Sequence, residues 1–292
     1  MNKLLLGSYV SFAKPNYLLG SLKTALDCNE NCFMIHIGSP QSTYKPNIND
    51  IKIAEFKKAC SESNIKLDNV IIHAPYIINP SSNETLKQKF AISFIKQEVK
   101  FAEAIGCKYI VLHPGNATNG MDRVQAIKNS AYVINEVNKQ NNGVVICVET
   151  MSGKGTEIGV NFSEIKQIID LVENKELIGV CFDTCHTWDS GYDLNNYQSV
   201  FKELDKIVGL DSIKVLHIND SLNDCGAHKD RHANIGYGKI GFKNISSICY
   251  LPEFANIPKI LETPVYENEE TTYKKEIEMI NENKFVDWIK EI

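Results

Sequence analysis

Short apolar runs rich in Val, Ile and Tyr recur along the whole chain. Eight of these runs are continuous rather than alternating with polar residues, which is typical of strands buried on both faces of a parallel sheet. They span residues 4–10, 32–38, 69–75, 109–115, 144–150, 178–184, 213–220 and 258–264. The pattern therefore predicts eight buried parallel strands.

Amphipathic helical segments fill the intervals between these runs. In the clearest, 83–105, apolar residues such as Phe94 and Val99 recur at spacings near the helical period. Asn83 is its predicted N-cap, and Gly106 is expected to end it. The other predicted helices span 50–63, 121–140, 162–172, 195–207 and 271–283.

The alternation of strands and helices predicts the fold class. Eight βα units without a linker or a shift in composition indicate an α/β protein, a (β/α)8 TIM barrel whose single domain spans residues 1–292. A doubly wound open sheet is the competing topology, but it usually has fewer strands or a second domain. The long irregular stretch 219–241 is rich in His, Asp and Arg, so we predict a functional loop there.

Composition is that of a globular protein, with 43% hydrophobic and 23% charged residues among 292. No apolar run reaches the roughly 18 residues of a membrane span, and the first residues lack the pattern of a signal peptide. The nine cysteines are an odd number, and several lie in apolar runs. We therefore expect reduced, buried thiols and a cytoplasmic setting.

The charge of the chain limits its partners. A net charge of −5 and a pI of about 5.9 argue against a general attraction to nucleic acid. Binding to DNA would need a local basic surface or bound cations.

Side chains that can ligate metals stand at or just beyond the predicted carboxyl ends of six strands. In a barrel these ends gather at one mouth, where active sites are built. The loop after the seventh strand can add two more side chains, since Asp230 and His232 point the same way in extended backbone. The full set comprises His73, His113, Glu149, Asp183, His186, His217, Asp230, His232 and Glu262.

Taken singly, each of these residues has an ordinary structural explanation. A histidine at a strand end is commonly a hydrogen-bonded core residue, and an aspartate there is often a helix cap. Together, nine buried acids and histidines would be very costly without cations. One zinc takes about four ligands, so the set predicts two or three ions, with manganese or iron as alternatives to zinc. Such a site suits in-line displacement at phosphorus.

At these residues the chain resembles the endonuclease IV family, the zinc-dependent apurinic/apyrimidinic (AP) endonucleases of base-excision repair. The match runs over nearly the whole chain, and the combination of DTCH and DRH is highly specific. The matching segments are HAPY (73–76), HPG (113–115), VETMSGKG (148–155), GVCFDTCHTWDSGYDL (179–194), HINDS (217–221), DRHANIGYGKIG (230–241) and ILET (260–263). The resemblance implies a barrel with three zinc ions at its mouth.

The resemblance also implies a role for each ligand. One ion would be held by His73 and His113, and Glu149 would bridge it to a second ion. The second ion would be completed by Asp183, His217 and Glu262. The third would be held by His186, Asp230 and His232, and manganese or iron could replace zinc at one position. Glu149 and Glu262 are the expected catalytic carboxylates.

The reaction implied by the resemblance is hydrolysis of the phosphodiester 5′ to an abasic site, leaving a 3′-hydroxyl and a 5′-deoxyribose phosphate. The substrate would be double-stranded DNA with abasic sites or blocked 3′ ends. An abasic nucleotide has little stacking to lose, so flipping it out selects the lesion. We expect a monomer with no obligate protein partner and no membrane association, in cytoplasm, at a nucleoid or at a viral replication site.

Two positions depart from the family. Tyr9 stands where members often have histidine, and Ser42 stands where members often place an arginine that wedges into the DNA stack. The candidate DNA contacts are therefore Gln41, Tyr44, Tyr76 and Arg231.

Two other functions stay open on the sequence. A sugar isomerase or epimerase of the same barrel type also gathers Glu, Asp and His at strand ends, but usually needs about four ligands. A metal-stabilised binder of damaged DNA without hydrolytic activity would not need Glu149.

Overall fold

Parallel pairing brings the eight predicted strands into one barrel. The computed structural model describes residues 4–266 and 268–291. Its strands are β1 (Leu6–Ser8), β2 (Phe33–Ile35), β3 (Val70–His73), β4 (Tyr109–Leu112), β5 (Val145–Glu149), β6 (Ile178–Asp183), β7 (Ile213–His217), β8 (Asp220–Ser221), β9 (His232–Ala233) and β10 (Lys259–Leu261). All but β8 and β9 join one sheet, in the order β1-β10-β7-β6-β5-β4-β3-β2. The sheet closes through a bridge between Tyr9 and Met34, where Val10 N–H donates to Met34 C=O at 2.9 Å.

Helices surround the barrel and connect its strands. They are α1 (Leu18–Asp27), α2 (Ile53–Ser61), α3 (Thr85–Ile105), α4 (Arg123–Asn138), α5 (Phe162–Leu171), α6 (Thr184–Asp189), α7 (Tyr197–Ile207), α8 (Phe242–Cys249) and α9 (Glu269–Glu282). The predicted TIM barrel is therefore confirmed. Three helices, α1, α6 and α8, were not predicted, and α6 is only six residues long. Among the described residues, no helix has the length and apolar character needed to cross a membrane.

The predicted N-cap of the longest helix was wrong by one residue. Thr85 is the first residue of α3, and its N-cap is Glu84 rather than Asn83. The Ser82 hydroxyl accepts the backbone N–H of Glu84 at 3.1 Å, and Glu84 itself is extended. The local turn at Ser82 therefore delays the helix. Its end at Gly106 is as predicted, with a φ of 92° that favours glycine.

The barrel interior is a separate apolar cluster inside the ring of strands. Its buried members are Cys32, Met34, Ile71, Val111, Val145, Cys147, Cys181, Val215 and Ile260. The larger core lies between the strands and the helices. Because side chains alternate along a strand, the next inward-facing residues lie two positions further along, at the mouth of the barrel.

Candidate metal centre

Six candidate ligands continue the inward-facing rows of the strands. His73 lies two residues beyond Ile71, and Glu149 lies two residues beyond Cys147, both of which line the barrel interior. The same spacing from an interior residue holds for His113, Asp183, His217 and Glu262. The apolar pattern that builds the barrel therefore also delivers these polar side chains to its mouth.

The remaining three candidates come from a helix and a loop. His186 lies on α6, which begins directly after β6. His232 is the first residue of the short strand β9, and Asp230 lies two residues before it. The structure brings all nine predicted ligands together in one cluster, which we call the mouth cluster. A pocket of about 400 Å³ opens onto it.

Backbone carbonyls orient three of the histidines. The Nδ1 atom of His73 lies 2.7 Å from the Ala74 carbonyl oxygen, and that of His186 lies 3.0 Å from the Thr150 carbonyl. His232 uses the Glu262 carbonyl in the same way, at 3.0 Å. Because a carbonyl only accepts, Nδ1 must carry the proton in each, which leaves the Nε2 lone pair free to bind a metal.

Glu149 occupies the centre of the mouth cluster. Its Oε2 lies 3.2 Å from His73 Nε2 and 3.0 Å from His113 Nε2. Its Oε1 lies 3.0 Å from His217 Nδ1, on the other side. The two oxygens of one buried carboxylate thus face two separate sets of neighbours, which is the geometry of a bridging ligand.

A second group lies on the far side of Glu149. His217 Nδ1 lies 2.9 Å from Glu262 Oε2 and 3.7 Å from Asp183 Oδ2. Asn219, which is fully buried, links these carboxylates, because its amide donates to Asp183 Oδ2 at 2.8 Å and to Glu262 Oε2 at 3.4 Å. Its oxygen also accepts the backbone N–H of Glu262 at 2.8 Å. Sequence reasoning missed Asn219, although it stands two residues after His217 and so shares the inward direction.

The third group is nearer the surface. Asp230 Oδ1 lies 3.1 Å from His186 Nε2 and 3.6 Å from His232 Nε2. Asp183 also has a carboxylate oxygen within 4.8 Å of ring nitrogens of both histidines. Asp183 serves as the N-cap of α6 as well, accepting the His186 N–H at 2.7 Å.

Charges within the mouth cluster strongly shift its protonation. Burial alone would raise the pKa of Glu149, but the neighbouring His217 and His113 hold it well below its ordinary value. Burial likewise opposes the charged form of His186, yet the nearby Asp183 and other carboxylates raise its pKa well above the ordinary value. Protons on histidine thus balance the carboxylates. Divalent cations would replace those protons, because a ligating imidazole must be neutral.

The donor set fits divalent metal ions. His232 Nε2 is buried and has no hydrogen-bond partner among the described residues. Donor atoms within 4.8 Å of one another form groups of the size that these ions take. Three such groups are His73, His113 and Glu149; Glu149, Asp183, His217 and Glu262; and Asp183, His186 and His232. Mixed imidazole and carboxylate donors suit zinc, manganese and iron.

The four candidate DNA contacts are spread around the mouth. Tyr76 lines both the pocket at the mouth cluster and an adjoining groove of about 900 Å³. Gln41 and Tyr44 lie in the loop after β2 and do not line either cavity. Arg231 is exposed beside Asp230, with its guanidinium 3.5 Å from the Asp230 carbonyl oxygen.

The position that departs from the family at β1 is part of the wall of the mouth pocket. Tyr9 packs against His36 with ring centroids 5.3 Å apart, and His36 Nδ1 lies 2.8 Å from the His73 carbonyl oxygen. Burial, together with His73, lowers the pKa of His36 to about 3. His36 is therefore a neutral buried histidine beside the ligands.

Comparisons with known proteins identify the family of the chain. The profile of the family described as "Xylose isomerase-like TIM barrel" matches residues 22–283. A protein of Ureaplasma parvum serovar 3 named "Probable endonuclease 4" is 46% identical over 290 residues, covering 97% of this chain and 95% of that protein. The crystal structure of endonuclease IV from Thermus thermophilus superposes with a TM-score of 0.83 at 25% identity, covering 95% of this chain and 99% of that one.

A second solved structure shares only the fold. A D-tagatose 3-epimerase-like protein superposes with a TM-score of 0.71 at 18% identity, covering 96% of this chain and 99% of that one. Fold and mouth cluster thus define a xylose isomerase-like TIM barrel with a metal-competent site. Within that class, the chain belongs to the endonuclease IV family, and the resemblance predicted from its motifs is confirmed.

Proposed function

We propose that the chain is a DNA-repair AP endonuclease, a hydrolase that cleaves the phosphodiester 5′ to an abasic site. The observation that carries this proposal is the convergence of nine acidic and histidine side chains on one barrel mouth. That number exceeds what one ion needs and suits a cluster of three. The relatives' name, endonuclease 4, supports the same reaction class.

In this proposal three zinc ions are the cofactors, with manganese or iron as alternatives at one position. His73, His113 and Glu149 would hold the first ion. Glu149, Asp183, His217 and Glu262 would hold the second. His186, Asp230 and His232 would hold the third.

The protein residues have defined parts in the reaction. When bound, the ions would supply Lewis acidity at the phosphate and lower the pKa of a water molecule. Glu149, facing two groups of ligands, would orient the attacking water with one oxygen. Glu262, whose Oε2 lies 2.9 Å from His217 Nδ1, would fix the position of the second ion together with His217. Bonds to Ala74 and Thr150 keep the ligating nitrogens of His73 and His186 aimed inward.

The surroundings of the mouth suit a DNA strand. Lys87 and Lys154 line the 900 Å³ groove, which also reaches His113 and Asp230 of the mouth cluster. Lysines beside the site can contact backbone phosphates without reading sequence. Tyr76, at the junction of groove and pocket, is placed to fill the gap left by a missing base. Trimming of blocked 3′ ends is a second expected activity.

We also propose that the enzyme acts as a monomer in a reducing, cytoplasmic compartment. None of the nine cysteines, all of which lie among the described residues, forms a disulfide, and eight of them are buried. Buried thiols without disulfides suit such a compartment.

A nicking assay tests the proposal. Protein purified without added metal would be mixed with end-labelled duplex DNA carrying one abasic site. We expect one nick 5′ to the site with an extendable 3′-hydroxyl, loss of cleavage after chelation, and recovery with zinc. No nick after zinc and manganese are supplied, together with about one ion per chain, would favour the sugar isomerase instead.

A further inference from the structure

A buried carboxylate outside the mouth cluster holds the loop that carries two of its members. Asp189 is the last residue of α6 and is fully buried. Its Oδ1 accepts the Ser221 hydroxyl at 2.7 Å, and its Oδ2 accepts the Asn223 amide at 3.2 Å. These partners are neutral donors at the start of the 219–241 loop, so the carboxylate ties this loop to α6.

The same carboxylate reaches the backbone directly before the candidate ligand Asp230. Asp189 Oδ2 accepts the backbone N–H of Asp230 at 2.7 Å and that of Lys229 at 3.3 Å. The Asp189 carbonyl accepts the N–H of His228 at 3.0 Å. Three consecutive backbone N–H groups therefore end on one residue.

The backbone held in this way is in an unusual conformation. His228 has a φ of 53° and Asp230 a φ of 56°, both in the left-handed region rather than the extended backbone that the sequence predicted for Asp230. Residues other than glycine stay in that region only where the surroundings hold them there. The bonds to Asp189 provide that hold. His228 adds a second fixed point, because its Nδ1 lies 2.9 Å from the Ser152 carbonyl.

Helix α6 thus serves the third group at two points. His186, three residues before Asp189, places its Nε2 3.1 Å from Asp230 Oδ1. We propose that Asp189 is a positioning residue for the third metal position: it fixes the backbone from His228 to Asp230 and so places the Asp230 carboxylate against His186 and His232. This inference rests on the metal-dependent function proposed above.

The test is a metal count on the full-length protein. Asp189→Asn keeps the shape of the side chain but removes its charge and one of the two oxygens that together accept four donors, namely Ser221, Asn223, Lys229 and Asp230. We expect zinc per chain, after dialysis against a mild chelator, to fall from about three to about two. Retention of that one ion should weaken about 10- to 100-fold, as for other residues that support ligands. Asp193→Asn, the same change at an exposed helix cap four residues on, should keep all ions.

A thermal measurement separates positioning from a merely structural role. Zinc that binds the native state raises Tm, and the size of that rise follows the affinity. A positioning role predicts a smaller zinc-dependent rise in Asp189→Asn than in the Asp193→Asn control. An equal drop in Tm with and without zinc, with three ions retained, would overturn the inference and leave the proposed function standing.

A milder variant covers the case in which Asp189→Asn does not fold. Ser221→Ala removes the hydroxyl that donates to Asp189 and accepts the backbone N–H of Asn223, and we expect a severalfold weaker hold on the same ion. Unchanged retention in this variant would then overturn the inference. Fewer than about three ions in the wild-type protein would count against the proposed cofactor instead.

Discussion

The strand-end part and the loop part of the mouth cluster are held by different means. At the strand ends, side-chain exposure ranges from zero at Asp183 and His217 to 20% at Glu262 and 24% at His113. In the loop, Asp230 retains 30% of its side-chain exposure and His232 18%. Strand-end ligands are placed by barrel register and core packing. The loop ligands depend on a few local contacts: Asp230 on its bond to Asp189, and His232 on the short β8–β9 pair and the Glu262 carbonyl.

This difference teaches where the site is rigid and where it is adjustable. A residue fixed by eight paired strands can move only if the core moves, because packed interiors resist deformation. A loop held by single carboxylates can open locally at a much smaller cost in free energy. We therefore expect the first two metal positions to be more robust than the third.

The largest effect should follow from Glu149, the residue that touches two ligand groups. Glu149→Gln removes the charge and weakens one bridging oxygen, so single-turnover cleavage of an abasic duplex should fall about 10³-fold or more. Binding of the same duplex should change only severalfold. The corresponding change in the loop part, Asp230→Asn, should lower the cleavage rate about 10- to 100-fold.

The matched control is Glu62→Gln, the same change directly after α2 at the opposite end of the barrel. It should cleave at the wild-type rate. Equal turnover by Glu149→Gln and the wild-type protein would rule out the proposed mechanism. A larger loss from Asp230→Asn than from Glu149→Gln would reverse the ranking of the two parts.

The strand-end part could be predicted from the sequence because the two-residue alternation of side chains along a strand places both the core residues and the ligands. Each apolar run predicts a strand, and the residue two positions beyond an inward-facing residue also faces inward. His73, His113 and Glu149 follow directly from that rule. The same rule would also have found Asn219.

The loop part was predictable only in composition. Nothing in the spacing of Asp189 distinguishes an anchor for residues 228–230 from an ordinary cap, since its partners lie about forty residues away in sequence. The antiparallel pair β8 and β9 is only two residues long on each side and carries no pattern. Tertiary contacts, rather than local periodicity, fix this region.

The loop after β2, like the loop after β7, is held by a buried carboxylate. The ion pair that holds it should make the stability of the protein depend on pH. Lys45 forms a buried ion pair with Glu98 of α3. Burial raises the pKa of Glu98 to about 7 against the opposing pull of Lys45. Because the folded-state pKa lies above the ordinary 4.5, the folded protein favours the protonated acid, and stability falls as pH rises through this window.

Lys45→Met leaves the ionised Glu98 without its cation. Unfolding experiments in urea should show a loss of about 3 kcal/mol at pH 8 and a smaller loss at pH 5.5, where the acid can stay neutral. The double variant Lys45→Met/Glu98→Leu should regain most of the stability. A loss equal at both pH values would show that ionised Glu98 does not need Lys45.

A smaller effect is expected at Gly238, in the turn that Asp220 organises. The Asp220 carboxylate accepts the N–H groups of Gly236 and Gly238 at 3.0 Å and that of Ile240 at 2.9 Å. A Cβ at Gly238 would lie 2.4 Å from Asp220 Oδ1 and from the Ser221 carbonyl. Gly238→Ala should therefore cost about 2 kcal/mol in urea unfolding and weaken the third ion.

Gly120→Ala is the control for this change. Gly120 has a φ of 70°, and a Cβ there meets nothing within 4 Å. It should cost about 1 kcal/mol from backbone strain alone and leave the metal content unchanged. Equal metal loss in both variants would show that the turn does not support the third position.

The smallest effects should come from the tyrosines at the rim. They extend the comparison of strand-end and loop residues to the binding of DNA. Tyr76 follows β3 by three residues, lines the mouth pocket and is 48% exposed, whereas Tyr44 lies in the loop after β2 and is 68% exposed. Stacking on an aromatic ring contributes about 1–3 kcal/mol per base. Tyr76→Ala should thus lower kcat/KM on abasic duplex about 10-fold, and Tyr44→Ala only about threefold.

Tyr132→Ala on α4 is the exposed control. A larger loss from Tyr44→Ala would place the lesion contact on the loop rather than beside the strand end.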